Sequence, residues 1–436
     1  MSKPSARDRL DAALAKIDDA QGEGARACLT IYRDAAMAAA DAADARARAG
    51  ITLGPLDGTI VSIKDLFDVA GEVTRAGSKV LADEGKQATQ DAPVVRRLRA
   101  AGAVIVAKTN MSEFAFSGLG LNPHYGTPGN PADRARVPGG SSAGGAVAVA
   151  DGMCDITIGS DTGGSTRIPA SLCGITGFKP SQCRVPTEGV FPLSYALDSI
   201  GPMAMNVADC ANADAVLAGE APSSSTLPLE AMPLAGLRLG VAQGLPLENL
   251  DDTVGRRFPE ALDRLERGGA RLSYEKLPLL DDMMQALSRT SILMAEVYSI
   301  HKDRLARRGD DIDQIVRARV EKGASIGAAD YINAVRTRAA LIRAMDARLA
   351  DLDALVLPST PIVAPRIDEV SNPRDFMARN AMVLRNTTIA NFFDLTAISL
   401  PLPRDGGLPT GLMLFARNGH DRRLFRIAAA VERVFG

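Results

Sequence analysis

The chain has 436 residues, 46% of them apolar, and a net charge of −2 from 50 Lys+Arg against 52 Asp+Glu. That balance leaves no electrostatic footprint for nucleic acid or an acidic membrane, and 4% aromatics without Trp supply no stacking platform for bases or sugars. Five scattered cysteines (Cys28, Cys154, Cys173, Cys183, Cys210), no C-x-x-C and no His at ligand spacing predict a reducing compartment, no metal site and no cofactor. The first twenty residues are charged and helical without an apolar signal region, and no long uncharged apolar run follows, so a soluble cytoplasmic protein is expected.

In chain order, Arg7 to Ala20 and Ala25 to Ala49 read as Ala-rich amphipathic helices broken at Gly22 and Gly24, covering one edge of a sheet. Gly54 to Val69 alternates as a hairpin-like strand pair carrying Lys64. A lysine beside an aspartate is ordinarily a solvated surface pair, but Ile60, Val61, Ile63, Leu66 and Phe67 around it argue for burial. Asp91 to Ala101 is a helix with Pro93 in its first turn and Gly102 past its end, followed by the strand Ala103 to Ala107. Polar loops follow, with His124 read as a satisfied loop histidine. After a glycine-rich stretch, Gly189 to Pro202 reads as a loop able to close over a ligand.

Leu237 to Ala242 is then a strand, Asp251 to Arg267 a helix, and Asp281 to Leu352 almost entirely helical. Ala354 to Pro358, Ala397 to Leu400 and Gly411 to Phe415 return as strands before a closing helix, Asp421 to Phe435. This alternation predicts an α/β fold, a single large domain over residues 1–436 with a mixed β-sheet sandwiched between layers of α-helices. Within it, 50–220 forms a core, 281–352 a helical specificity region, and 353–436 completes the sheet.

The chemistry concentrates between Pro138 and Pro180. Ser165 sits in Gly163-Gly164-Ser165-Thr166-Arg167, and two glycines before a serine let several N–H groups converge on one point, as a developing oxyanion beside a hydroxyl nucleophile requires. Gly139-Gly140-Ser141-Ser142-Ala143-Gly144-Gly145 is a second such cluster. Between the two, GGAVAVADG reads as a short helix with Ser141 or Ser142 near its N-cap, and Asp155 to Ile158 as a buried strand. Neither G-x-G-x-x-G nor G-x-x-x-x-G-K-[ST] occurs in the stretch, so a phosphate cradle is not indicated. Gly140 to Gly144 matches the G-x-S-x-G elbow with Ser142 as nucleophile, but only His301, in a charged helix, and His420, in a polar turn, follow it.

Val61-Ser62-Ile63-Lys64-Asp65, the GGSS cluster and GSDTGGSTRIPAS together resemble the amidase signature hydrolases, with weaker similarity through Gly174 to Pro180, Leu197 to Pro202 and Gly407 to Leu412. The resemblance implies Ser165 as nucleophile, Ser141 as a bridging serine on a cis Gly140–Ser141 peptide, and Lys64 as base. It further implies an oxyanion hole from Thr162, Gly163, Gly164 and Ser165, support from Ser142, Asp161 and Arg167, and substrate contacts at Met111, Gly139, Gly140 and Phe191. The chemistry is coherent, because a lysine kept neutral by desolvation can take a serine proton through a second serine and return it to the leaving amine.

The reaction implied is hydrolysis of a small linear carboxamide to acid and ammonia or amine through an acyl-enzyme. The partner is a small-molecule amide, with no nucleic acid or membrane, for a monomer or homodimer. The alternative is a glutamine-hydrolysing A-type subunit of a tRNA-dependent amidotransferase. Ile168 stands where those subunits usually carry Gln, which favours the hydrolase. Asp394 and Thr396 replace the usual Gly and Pro in the loop after Asn391.

Overall fold

The computed structural model describes residues 4–220 and 229–436. Among these, eleven strands form one sheet: β1 (Cys28–Ile31), β2 (Ile60–Lys64), β3 (Val104–Thr109), β4 (Ile156–Asp161), β5 (Thr176–Lys179), β6 (Ser199–Ala204), β7 (Arg238–Ala242), β8 (Arg271–Glu275), β9 (Ala354–Pro358), β10 (Thr396–Pro401) and β11 (Gly411–Ala416). Their order is β1-β3-β2-β4-β6-β5-β10-β11-β9-β7-β8. The sheet is mixed, parallel where β2 lies between β3 and β4 and where β7 lies between β9 and β8, and antiparallel at its centre. Helices cover both faces, so the central strands are buried on both sides and read as nearly continuous apolar runs. This is the predicted α/β sandwich in one domain.

Alternation along β2 and β3 divides the core. Val61, Ile63 and Ile105 enter one apolar cluster, while Ile60, Val104 and Val106 enter another on the opposite face, beneath the helix Ala143–Ala150.

Three elements differ from the sequence expectations. Gly54 to Val69 is not a strand pair; Ile60–Lys64 alone is extended, and its neighbours are the distant β3 and β4. The second N-terminal helix is interrupted, because Cys28–Ile31 pairs antiparallel to β3 as an edge strand and the helix resumes at Arg33–Arg48. The loop expected to run to Pro202 ends at Asp198, where β6 begins its pairing with β4. The stretch from 281 is helical as expected, through Leu279–Arg289, Ile292–Arg308, Gln314–Glu321 and Ala328–Arg348.

Candidate active site

Lys64 ends β2, and β4 runs parallel beside it with Ile63 opposite Ile158. With a period of two, Lys64 points to the same face as Ser62, whose hydroxyl donates to Thr157 Oγ1 at 2.8 Å. The helix Ala143–Ala150 packs on that face, and the chain entering it brings Ser141 to the lysine. Lys64 Nζ donates to Ser141 Oγ at 2.7 Å and to Ser160 Oγ at 2.8 Å. Burial pushes the Lys64 ammonium down to about 7, against the opposing pull of Asp198 and Asp161.

The Gly140–Ser141 peptide is cis. The Ser142 N–H donates to the Ser165 carbonyl at 3.3 Å, which joins the two serine clusters through backbone. Ser142 occupies the helix N-cap position without a side-chain cap; its Oγ lies 3.5 Å from the Ser160 carbonyl.

Ser165 closes the turn that begins at Asp161, and that turn is organised by one carboxylate. Asp161 accepts from the Gly164 N–H (2.9 Å), the Thr166 N–H (3.2 Å) and hydroxyl (3.0 Å), Arg167 Nε (3.0 Å) and Nη2 (2.9 Å), and Asn391 Nδ2 (2.8 Å). Burial by itself would raise its pKa, but the charge and hydrogen bonds of Arg167 hold the carboxyl well below the usual range. The Gly164 N–H is therefore committed to Asp161, which corrects the expectation that all four turn N–H groups face an oxyanion. Gly164 itself lies at φ 135°, and a Cβ there would fall 2.2 Å from Thr387 Oγ1. Thr387 Oγ1 in turn donates to the Gly163 carbonyl at 2.6 Å.

Several residues that shape this site escaped the sequence reading. Ser160 is a polar residue in a buried strand, a signal that was available. Thr387 carried none, lying 224 residues from the carbonyl it holds. Asp198, within the Leu197 to Pro202 similarity, accepts the Thr162 hydroxyl at 2.6 Å and the N–H groups of Leu193 (2.9 Å) and Ser194 (3.1 Å), and burial raises its carboxyl to about 6.

A cavity of about 110 Å³ opens against Thr162 and Gly163. Its wall is mostly apolar, with Leu197, Ile292, Leu293 and Phe392 prominent, and Arg338 is its one charged lining residue. Met111, Gly139, Gly140 and Phe191 are not among the residues lining it, and neither are Ser165, Ser141 and Lys64. Met111 is fully buried in the core, and its carbonyl accepts from Asn122 Nδ2 at 2.7 Å. Phe191 packs instead over His301, with ring centroids 5.7 Å apart. His301 is wholly buried, its nitrogens have no hydrogen-bond partner among the described residues, and burial pushes its pKa down to about 3. His301 thus does not serve Ser142 as an elbow nucleophile would need.

A buried lysine hydrogen-bonded to one glycine-framed serine, with a second such serine tied to the same segment through backbone, is an arrangement able to activate a hydroxyl without histidine. The Amidase family model matches residues 8–425. The chain is 36% identical over 408 residues to the 2-amino-5-chloromuconic acid deaminase of Comamonas testosteroni, covering 92% of this chain and 87% of that protein. It is 35% identical to the A-type subunit of the glutamyl-tRNA(Gln) amidotransferase of Koribacter versatilis (strain Ellin345), over 96% of this chain and 92% of the relative. A crystal structure described as an amidase superposes with a TM-score of 0.88 at 32% identity, covering 99% of this chain and 97% of the other. The chain belongs to the amidase signature family and is a hydrolase of amide C–N bonds. No described helix is long and apolar enough to cross a membrane.

Proposed function

We propose that this chain hydrolyses a small linear carboxamide to a carboxylic acid and ammonia or an amine, through an acyl-enzyme on Ser165. The observation that carries the reading is the 2.7 Å hydrogen bond from a solvent-free Lys64 to Ser141, beside the turn that presents Ser165. Neutral Lys64 takes the Ser141 proton as Ser141 takes that of Ser165, and Ser165 Oγ bonds to the carbonyl carbon. The oxyanion rests on N–H groups of Thr162, Gly163 and Ser165, since that of Gly164 is engaged. The C–N bond breaks as the relay returns the proton to the leaving nitrogen, and water then enters by the same path to release the acid. Asp161 and Arg167 hold the turn, Ser142 braces it from the helix side, and no cofactor takes part.

The helical region 281–352 forms the acyl wall, since Ala286, Leu287, Thr290 to Leu293, Ala334 and Arg338 line the cavity. An amide with an apolar chain that also bears a carboxylate is the first substrate to try, because Arg338 is the charged group in that wall and one relative is named for an acid. Five free cysteines, four of them buried, support a reducing, cytoplasmic setting.

The second reading, glutamine hydrolysis for a partner enzyme, is favoured by the amidotransferase relatives. Against it, the apolar Ile168 packs beneath Gly164, within 2.8 Å of where a Cβ would lie. The test is ammonia release from neutral and carboxylated linear amides by the purified chain, without tRNA, ATP or partner. Activity on simple amides supports the first reading; a chain inert on all of them that hydrolyses glutamine only with an added partner supports the second.

A further inference from the structure

Two buried carboxylates grip the short strap from Leu193 to Asp198. At one end Asp198 takes the N–H groups of Leu193 and Ser194 and the hydroxyl of Thr162, the first residue after β4. On the other side Glu296, on the helix Ile292–Arg308 and only 7% exposed, takes the hydroxyl of Ser194 and the N–H of Ala196 at 3.2 Å. Its second oxygen takes the Tyr331 hydroxyl at 2.7 Å, from the helix Ala328–Arg348. Neither carboxylate makes an ion pair among the described residues. Burying an unpaired carboxylate is costly unless its oxygens are saturated with donors, and apolar replacements usually stabilise such positions as well or better. A wall built only for packing would have no need of Glu296.

The strap also shares residues with the cavity. Leu197 belongs to both, Ile292 and Leu293 lie one turn before Glu296, and Ala334 lies one turn after Tyr331. We propose that Glu296 is a positioning residue for the oxyanion turn, holding Thr162 in register with the cavity through Ser194, Ala196 and Asp198. This rests on the amide-hydrolase reading above. A substrate seated between the helices thereby bears on the same hydrogen-bonded path that sets the turn.

The test is a double-mutant cycle with two readouts. In Glu296→Gln the amide group cannot accept from every donor that the carboxylate serves, so kcat falls by about tenfold while KM changes by less than about threefold. Tyr331→Phe, which removes only the outermost donor, lowers kcat by a smaller factor in the same direction. Thr162→Val cuts the path at its far end, so adding Glu296→Gln to it costs less than about a further twofold. The second readout is the rate at which a fluorophosphonate phosphonylates Ser165, the Oγ–P bond forming as the P–F bond breaks and fluoride leaves, followed by mass spectrometry; it needs the turn but no amide substrate, and slows in parallel.

Additive losses in the cycle, or a Glu296→Gln protein that melts lower yet turns over and labels like the wild type, overturn the proposal. If the wild type labels at Ser165 but hydrolyses no amide, the amide reading fails and the labelling rates alone decide for or against Glu296. If the wild type does not label at all, both fail. Should Glu296→Gln not fold, Tyr331→Phe with Thr162→Val completes the same cycle at smaller amplitude.

Discussion

Arg167 and Asp161 form a two-pronged pair sealed from solvent, with Nε 3.0 Å from Oδ2 and Nη2 2.9 Å from Oδ1. The remaining donor directions of Arg167 reach the Thr387 carbonyl at 2.9 Å and Asn391 Oδ1 at 2.7 Å, so one guanidinium fastens the serine turn to a segment more than 200 residues away. Arg167→Met leaves the Asp161 charge buried and uncompensated, and an unfolding loss of about 3–5 kcal/mol is expected at pH 7. Arg167→Lys recovers little, because an ammonium cannot reproduce the fork. Because the folded pKa of Asp161 is depressed, the unfolded chain binds the extra proton. Its stabilisation is therefore present above the ordinary carboxylate value of about 4 and is lost as pH falls through the lowered folded value. Urea midpoints of the three proteins from pH 3 to 7 check this; a Lys variant as stable as the wild type would contradict it.

The base is tested by charge without titration. If Lys64 accepts the proton, kcat/KM rises with pH along a limb near 7, where burial places its ionisation. Arginine keeps the charge and most of the reach but cannot deprotonate, so Lys64→Arg is expected to be as inactive as Lys64→Ala. Substantial turnover by a folded Lys64→Arg enzyme would mean that the lysine supplies only a field.

Asp198 sets where that limb lies. Its negative charge raises the Lys64 pKa, opposing desolvation, as does that of Asp161. Asp198→Asn keeps an oxygen for the Thr162 hydroxyl while removing the charge, so Lys64 loses its proton more easily and the limb moves to lower pH. A limb that stays in place or moves up would show that Asp198 does not act on Lys64.

Removal of the Ser165 hydroxyl is expected to abolish turnover while leaving the circular dichroism and melting curve of the folded chain nearly unchanged, since Ser165 Oγ is not one of the groups that hold the Asp161 turn. Chelators are expected to leave the wild-type rate intact, because the proposed relay uses only Lys64, Ser141 and Ser165. Loss of activity on chelation is the outcome that would force a different mechanism.

Gly164→Ala combines a left-handed backbone with a collision at Thr387 Oγ1. The substitution should cost more than about 1 kcal/mol of stability and most of kcat, because the turn must shift. Adding Thr387→Ala removes the clash but not the φ requirement, so it should recover only part of the stability in thermal melts.

The serine frame, the lysine and the α/β class were legible in the chain because they are local. Glycine pairs announce backbone freedom around Ser141 and Ser165, apolar flanks announce that Lys64 is dry, and helical periodicity marks the region after Asp281. Alternation alone could not distinguish a hairpin around Lys64 from a single strand between two parallel neighbours, since both bury the same residues; the pairing of β2 with β3 and β4 decided it. Nor could local pattern show that Ser160 shares the lysine, that Gly164 spends its N–H on Asp161, or that Asn391 and Thr387 hold the turn from 230 and 224 residues away. Local pattern also could not show that Met111 packs inward or that Phe191 lies against His301, because an apolar side chain in a loop packs or lines a cavity according to which helices arrive from elsewhere in the chain. Periodicity and backbone freedom are properties of neighbouring residues, whereas the partner of a buried polar atom is set by whichever distant segment the sheet order brings beside it.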